Sequence, residues 1–160
     1  MIHLTKKQYV YAALICVVLF MMWLFSGGDS TPEAGKVDGI EVSELLSLYA
    51  FENCDVDYCD LLSDATDKKR EAIRKISLLD ISGDAFYDHG CVIVDLIDEI
   101  GEEKYIESLG ALTWEEERKI CDCILAGLEY GNGKHQSQKL EDAFPKITAL
   151  FSNPKKTINK

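Results

Sequence analysis

Residues 83–130, GDAFYDHGCVIVDLIDEIGEEKYIESLGALTWEEERKICDCILAGLEY, carry two helical patterns in succession. Ile93, Leu96, Ile97 and Ile100 recur at i, i+3, i+4 and i+7, one stripe of a 3.6-residue period, and Gly101 follows as a stop signal. Thr113-Trp114-Glu115-Glu116 is a capping box. In such a box the Thr113 hydroxyl accepts from the Glu116 amide, while the Glu116 carboxylate reaches back to the Thr113 amide. The helix it opens puts Ile120, Cys123, Ile124, Gly127 and Leu128 on one face and stops near Gly131-Asn132-Gly133.

The same period extends to both sides. Val42, Leu45, Leu46 and Tyr49 form a shorter stripe, with Ser43 or Asp38 available to cap its start. A second run, from Lys68 to Leu79, repeats the spacing through Ile73, Ile76 and Leu79, and Ser82-Gly83-Asp84 then breaks the chain. A last helix is expected over 136–151, with Pro145 kinking it or restarting it after Asp142. No β alternation stands out. The expectation is an all-α domain of about five helices over residues 40–152, enough chain for one hydrophobic core. Residues 153–160 (NPKKTINK) read as a frayed basic tail.

Upstream lies a segment of another kind. Tyr9–Phe25 (YVYAALICVVLFMMWLF) is an unbroken apolar run, which at about 1.5 Å per helical residue covers roughly 25 Å of a ~30 Å hydrocarbon core. Lys6 and Lys7 precede it in the short segment 1–8, and Asp29 and Glu33 are the first charges after it. The positive-inside bias therefore puts the N-terminus in the cytoplasm and the bulk of the chain outside, in the periplasm. Tyr9, Tyr11 and Trp23 sit where amphipathic rings favour the headgroups. The favoured reading is an uncleaved, single-pass signal anchor in the inner membrane, because bulky residues run on beyond a signal-peptide core. A signal peptide cut after Gly28 and an inverted anchor are the alternatives. Residues 26–39 (SGGDSTPEAGKVDG) read as a flexible linker.

The exported part is acidic. Two Lys and one Asp precede Ser30, which leaves 15 basic and 27 acidic side chains and a net charge of −12, against −11 for the whole chain. A phosphate backbone would be repelled, so nucleic-acid binding is excluded, and so is lying flat on an anionic bilayer. A basic protein partner is favoured. Asp95, Asp98, Glu99 and Glu102 recur at i, i+3, i+4 and i+7, about 160° from the apolar stripe. With no Lys or Arg on that face, they are the candidate partner-binding strip, and a solvated helix face is the bland alternative.

Six cysteines offer further chemistry, with Cys16 inside the apolar run. In an oxidising compartment Cys54 and Cys59 are candidates for a small disulfide ring. Cys91 is a candidate to meet Cys121 or Cys123 if their helices pack together. Cys121 and Cys123 point about 160° apart on a helix, and Cys123 shares the core stripe. That divergence also argues against zinc at His89, Cys91, Cys121 and Cys123. Asp55, Asp57 and Asp60 resemble a calcium loop, but Asp60 stands where Gly belongs and Thr66 where the bidentate Glu belongs. No metal or cofactor is expected.

Catalytic motifs are lacking too. There is no Gly-x-Ser-x-Gly elbow, phosphate-cradling loop or His-Glu-x-x-His pair. Asp88-His89 beside Cys91 reads as a capping or surface-bonded histidine rather than a Cys–His nucleophile pair. Trp114 and Phe86-Tyr87 read as packing residues. No enzyme is expected.

The stretch from Gly83 to Tyr130 resembles, in size, charge and helical texture, the small acidic immunity proteins that bacteria encode beside secreted antibacterial toxins. It covers roughly a third of the chain. The resemblance implies a protein that neutralises one toxin by occlusion, and an envelope-facing anchor suits a toxin acting on peptidoglycan or the bilayer. The alternative is a structural or accessory subunit of an envelope complex, in which Tyr9–Phe25 is itself a contact.

Overall fold

The computed structural model describes residues 35–152. The apolar run at residues 9–25 with Cys16, the linker residues 26–34 and the tail 153–160 lie outside the described residues. Among those described, no helix is long and apolar enough to cross a membrane.

A two-stranded antiparallel hairpin opens the domain: β1 (Gly35–Val37) and β2 (Ile40–Val42), with Val37 opposite Ile40 and Gly35 opposite Val42. Its two-residue turn is Asp38-Gly39, with φ of 48° and 94°. Two consecutive positive φ values are what a tight hairpin of this hand requires, and Asp-Gly supplies them at low steric cost. The hairpin draws residues 35–39 of the expected linker into the fold. Asp38 also accepts a hydrogen bond from Thr66 Oγ1 at 2.5 Å, so it is a turn residue and not the cap of the first helix.

The rest is helical, as the apolar periods require, but with eight helices rather than about five. They are α1 (Glu44–Cys54), α2 (Tyr58–Thr66), α3 (Arg70–Ser77), α4 (Asp84–Ile100), α5 (Glu102–Leu109), α6 (Trp114–Tyr130), α7 (Leu140–Ala143) and α8 (Pro145–Phe151). Ser43 caps α1 by accepting from the Leu46 amide at 3.1 Å, and Asp57 caps α2 by accepting from the Asp60 amide at 3.1 Å. The capping box of α6 is formed in full, with Glu116 N to Thr113 Oγ1 at 3.2 Å and Thr113 N to Glu116 Oε2 at 2.7 Å. Pro145 restarts the chain at the first position of α8, where its missing N–H costs nothing. Residues 136–137 end a turn and 138–139 are irregular, instead of forming an opening helical turn.

The long helices α4 and α6 form the central pair. Gly90 and Gly127 meet there: a Cβ on Gly90 would lie 2.6 Å from the Cys123 carbonyl oxygen, and one on Gly127 would lie 2.1 Å from the Gly90 oxygen. The two backbones touch, and no other residue type fits. Ile93, Leu96, Ile97 and Ile100 from α4 and Ile120, Cys123, Ile124 and Leu128 from α6 are all buried, as their spacing demands. Tyr58, Leu62, Ile73, Ile76 and Tyr105 fill the core from the shorter helices, and Phe144 from the junction of α7 and α8. Arg74 of α3 ties the α5–α6 connection down. Its guanidinium donates to the carbonyls of Leu109 and Ala111 and pairs with Glu116 at 3.0 Å.

Candidate functional site

The outer face of α4 carries polar groups at a helical spacing that begins two turns earlier than the expected strip. Asp88, Cys91, Asp95 and Asp98 follow i, i+3, i+7 and i+10. The first three line one wall of an open groove of about 340 Å³. Opposite them stand Glu41 to Ser43 from the end of the hairpin, and Tyr130 to Asn132 from the end of α6. Three elements distant in sequence thus converge, and three carboxylates, those of Glu41, Asp88 and Asp95, share one opening.

Each wall is locally fixed. The Ser43 hydroxyl that caps α1 also donates to Asp88 Oδ2 at 2.5 Å, which holds the start of α1 against α4. Tyr130 stacks edge-on against Tyr87 with centroids 4.6 Å apart, so two partly exposed rings border the acidic opening. Asp95 is half-buried. That burial, reinforced by the charges of Asp98 and Glu41, raises its carboxyl above the usual range. A group in this state is stabilised by any cation that approaches it.

The four strip residues do not form one free row. Gly101, with φ of 86°, ends α4, so Glu102 opens a separate helix. Its Oε2 accepts from the amides of Lys146 and Ile147 at 2.9 and 3.1 Å. It thereby satisfies first-turn donors of α8, which has no side-chain cap of its own. Asp98 is also committed: Lys134 Nζ and His135 Nε2 each reach its Oδ1 at 2.9 Å. The strip therefore has a compensating cation in Lys134 and a hydrogen-bond partner in His135, and both come from the loop after α6, far away in sequence. Asp95 remains on the groove and Glu99 remains exposed.

The expected disulfides are not formed among the described residues. Cys54, Cys91, Cys121 and Cys123 are free, so neither a Cys54–Cys59 ring nor a Cys91 bridge to Cys121 or Cys123 is formed. Cys123 is buried, and burial pushes its thiol up to about 12. Burial and the carboxylates of Asp88 and Asp95 likewise raise Cys91, which suppresses the thiolate a nucleophile needs. Among the described residues, no three His, Cys, Asp or Glu side chains converge as a metal ion requires.

His89 is not at the surface, contrary to the expectation for it. It is 2 % exposed, with Nδ1 hydrogen-bonded to Tyr58 Oη at 2.7 Å, and burial drops its pKa to about 3. The aromatic expectations also change. Trp114 is 61 % exposed with the Arg118 guanidinium 5.2 Å from its ring, and Tyr87 is exposed against Tyr130 instead of packed in the core.

Sequence reasoning missed Asp88 and Glu41. Asp88 was readable as one more step of the acidic period; Glu41 enters only through the hairpin. No protein-family model, curated protein or solved structure matches the chain.

Proposed function

We propose that this chain is a membrane-anchored binding protein of the cell envelope, most concretely an immunity protein that neutralises a secreted antibacterial toxin by covering it. The anchor is Tyr9–Phe25 in the inner membrane, and the helical domain is displayed on the periplasmic side. The observation that carries the reading is the groove: Glu41, Asp88 and Asp95 crowd one opening beside Tyr87 and Tyr130, and Asp95 stays poorly neutralised within the domain. That combination suits a Lys or Arg side chain, whose charge meets the carboxylates while its stem or plane lies on the rings. Glu99 supplies a further exposed charge beyond it. Asp98 and Glu102 hold the fold that presents them.

Affinity capture from envelope extract tests this, with the full chain compared with a variant carrying Glu41→Gln, Asp88→Asn, Asp95→Asn and Glu99→Gln. The expected result is one basic protein retained at about 50 mM salt, released near 500 mM, and not retained by the variant. Equal retention by the variant sinks the groove. The competing role, an accessory subunit of an envelope complex, is separated by exchanging Tyr9–Phe25 for an unrelated span. Protection against the toxin survives that exchange in an immunity protein, whereas a subunit that works through its span fails.

A further inference from the structure

We infer that the outer face of α1 is a second docking surface, taken by a basic amphipathic helical segment of the same partner; this rests on the binding-protein reading above. Helix α1 has apolar residues on both sides. Leu46 and Ala50 point into the core, yet Leu45, Leu48 and Phe51 are 48, 38 and 46 % exposed. Three large apolar side chains left exposed on the outer side of one short helix make a patch of the kind that marks an interaction site. These three make up nearly half of the large apolar side chains that the described residues leave exposed.

The charge around them selects the occupant. Glu44, Glu52 and Asp55 are exposed at helical spacing from Leu48 or Phe51, and α1 (ELLSLYAFENC) contains no Lys or Arg. None of the three has an ion-pair partner among the described residues. A second copy of this chain would set these acids against their like on a molecule of net charge −11, and an anionic lipid surface would be repelled as well. A helix with Leu-like side chains at i, i+3 and i+7, flanked by Lys or Arg, buries the apolar trio and neutralises its rim. The surface is placed for use with the groove, because Ser43 both caps α1 and lines the groove.

The test uses the full chain in nanodiscs of zwitterionic lipid, with an amidated Leu/Lys helical peptide of about 14 residues as probe and its Leu/Glu counterpart as control. Hydrogen exchange is read at the amides of α1 and at those of the groove. The Leu/Lys peptide is expected to slow exchange in α1 about ten-fold, and the Leu/Glu peptide to leave it unchanged. The triple variant Leu45→Gln, Leu48→Gln, Phe51→Gln should lose that protection, since Gln keeps helix propensity and none of these side chains is buried. A groove variant (Glu41→Gln, Asp95→Asn) that leaves the Ser43–Asp88 contact of α1 intact should retain it. Protection of α1 that persists in the triple variant, or that the Leu/Glu peptide reproduces, overturns the inference. Protection of α1 that appears without peptide and grows with protein concentration assigns the face to a second copy and also overturns it. Protection at the groove alone removes this surface and leaves the binding-protein reading standing; protection at neither removes both.

Discussion

The buried His89 makes a pH experiment quantitative. Its imidazole is held neutral in the core against Tyr58, with a pKa near 3 in place of the ordinary 6.5. Its folded pKa is depressed, so in acid the unfolded chain binds the proton and the folded one does not. Stability is therefore complete above about pH 6.5 and declines as pH falls towards 3. The slope steepens below pH 6.5, so acidification from pH 6.5 to 4.5 removes roughly 2 kcal/mol through this one residue. That is a large share of the 5–15 kcal/mol typical of a domain. Raised carboxyls act in the opposite sense: Asp95 binds its proton more readily in the folded state, so its contribution grows on acidification. The experiment therefore compares slopes. Urea unfolding is followed at pH 7.5, 6.5, 5.5 and 4.5 for the wild type and for His89→Gln. The variant is less stable throughout, having lost its fit to Tyr58, but its curve should be flatter by about 1 kcal/mol per pH unit between pH 6.5 and 4.5. Parallel curves would refute the argument, because they would mean that His89 accepts a proton in the folded state.

Two further outcomes follow from packing and hydrogen bonding. Gly127→Ala puts a methyl 2.1 Å from the Gly90 oxygen, which must push α4 from α6; a loss of about 3 kcal/mol or more is expected, read as a fall in thermal midpoint. Arg74→Ala strands two carbonyls and unpairs Glu116, with an expected loss of about 2 kcal/mol and earlier proteolytic cutting between α5 and α6.

What could be read from sequence was whatever a single helix decides for itself. The stripe Ile93–Leu96–Ile97–Ile100, the Thr113–Glu116 box and the restart at Pro145 each depend on neighbours within a turn or two, and each appears in the fold. His89 was also readable, since it lies four residues before Ile93 on the same stripe; its polarity disguised its place in the core. The hairpin was announced by Asp38-Gly39, but strands of three residues are too short to show alternation. Helices of four to nine residues gave too few turns to count separately, and α4 passes to α5 across a lone Gly101. The fate of the acidic strip was out of reach. Lys134 and His135 meet Asp98 from more than 35 positions away, and Glu102 serves a helix that starts at Pro145. Such partners are set by how elements stack, which no local period encodes.

The contact between Gly90 and Gly127 bears on how the groove meets whatever it binds. Asp88, Cys91 and Asp95 ride on α4, while Tyr130 and Gly131 ride on the end of α6. With the two backbones in direct contact at that point, there is no side chain between them there to rearrange. The walls of the groove are held at a fixed spacing before any encounter. Association then requires little reordering on this side, and the loss of freedom falls mainly on the visitor. A groove built this way favours rapid capture of one shape over accommodation of many.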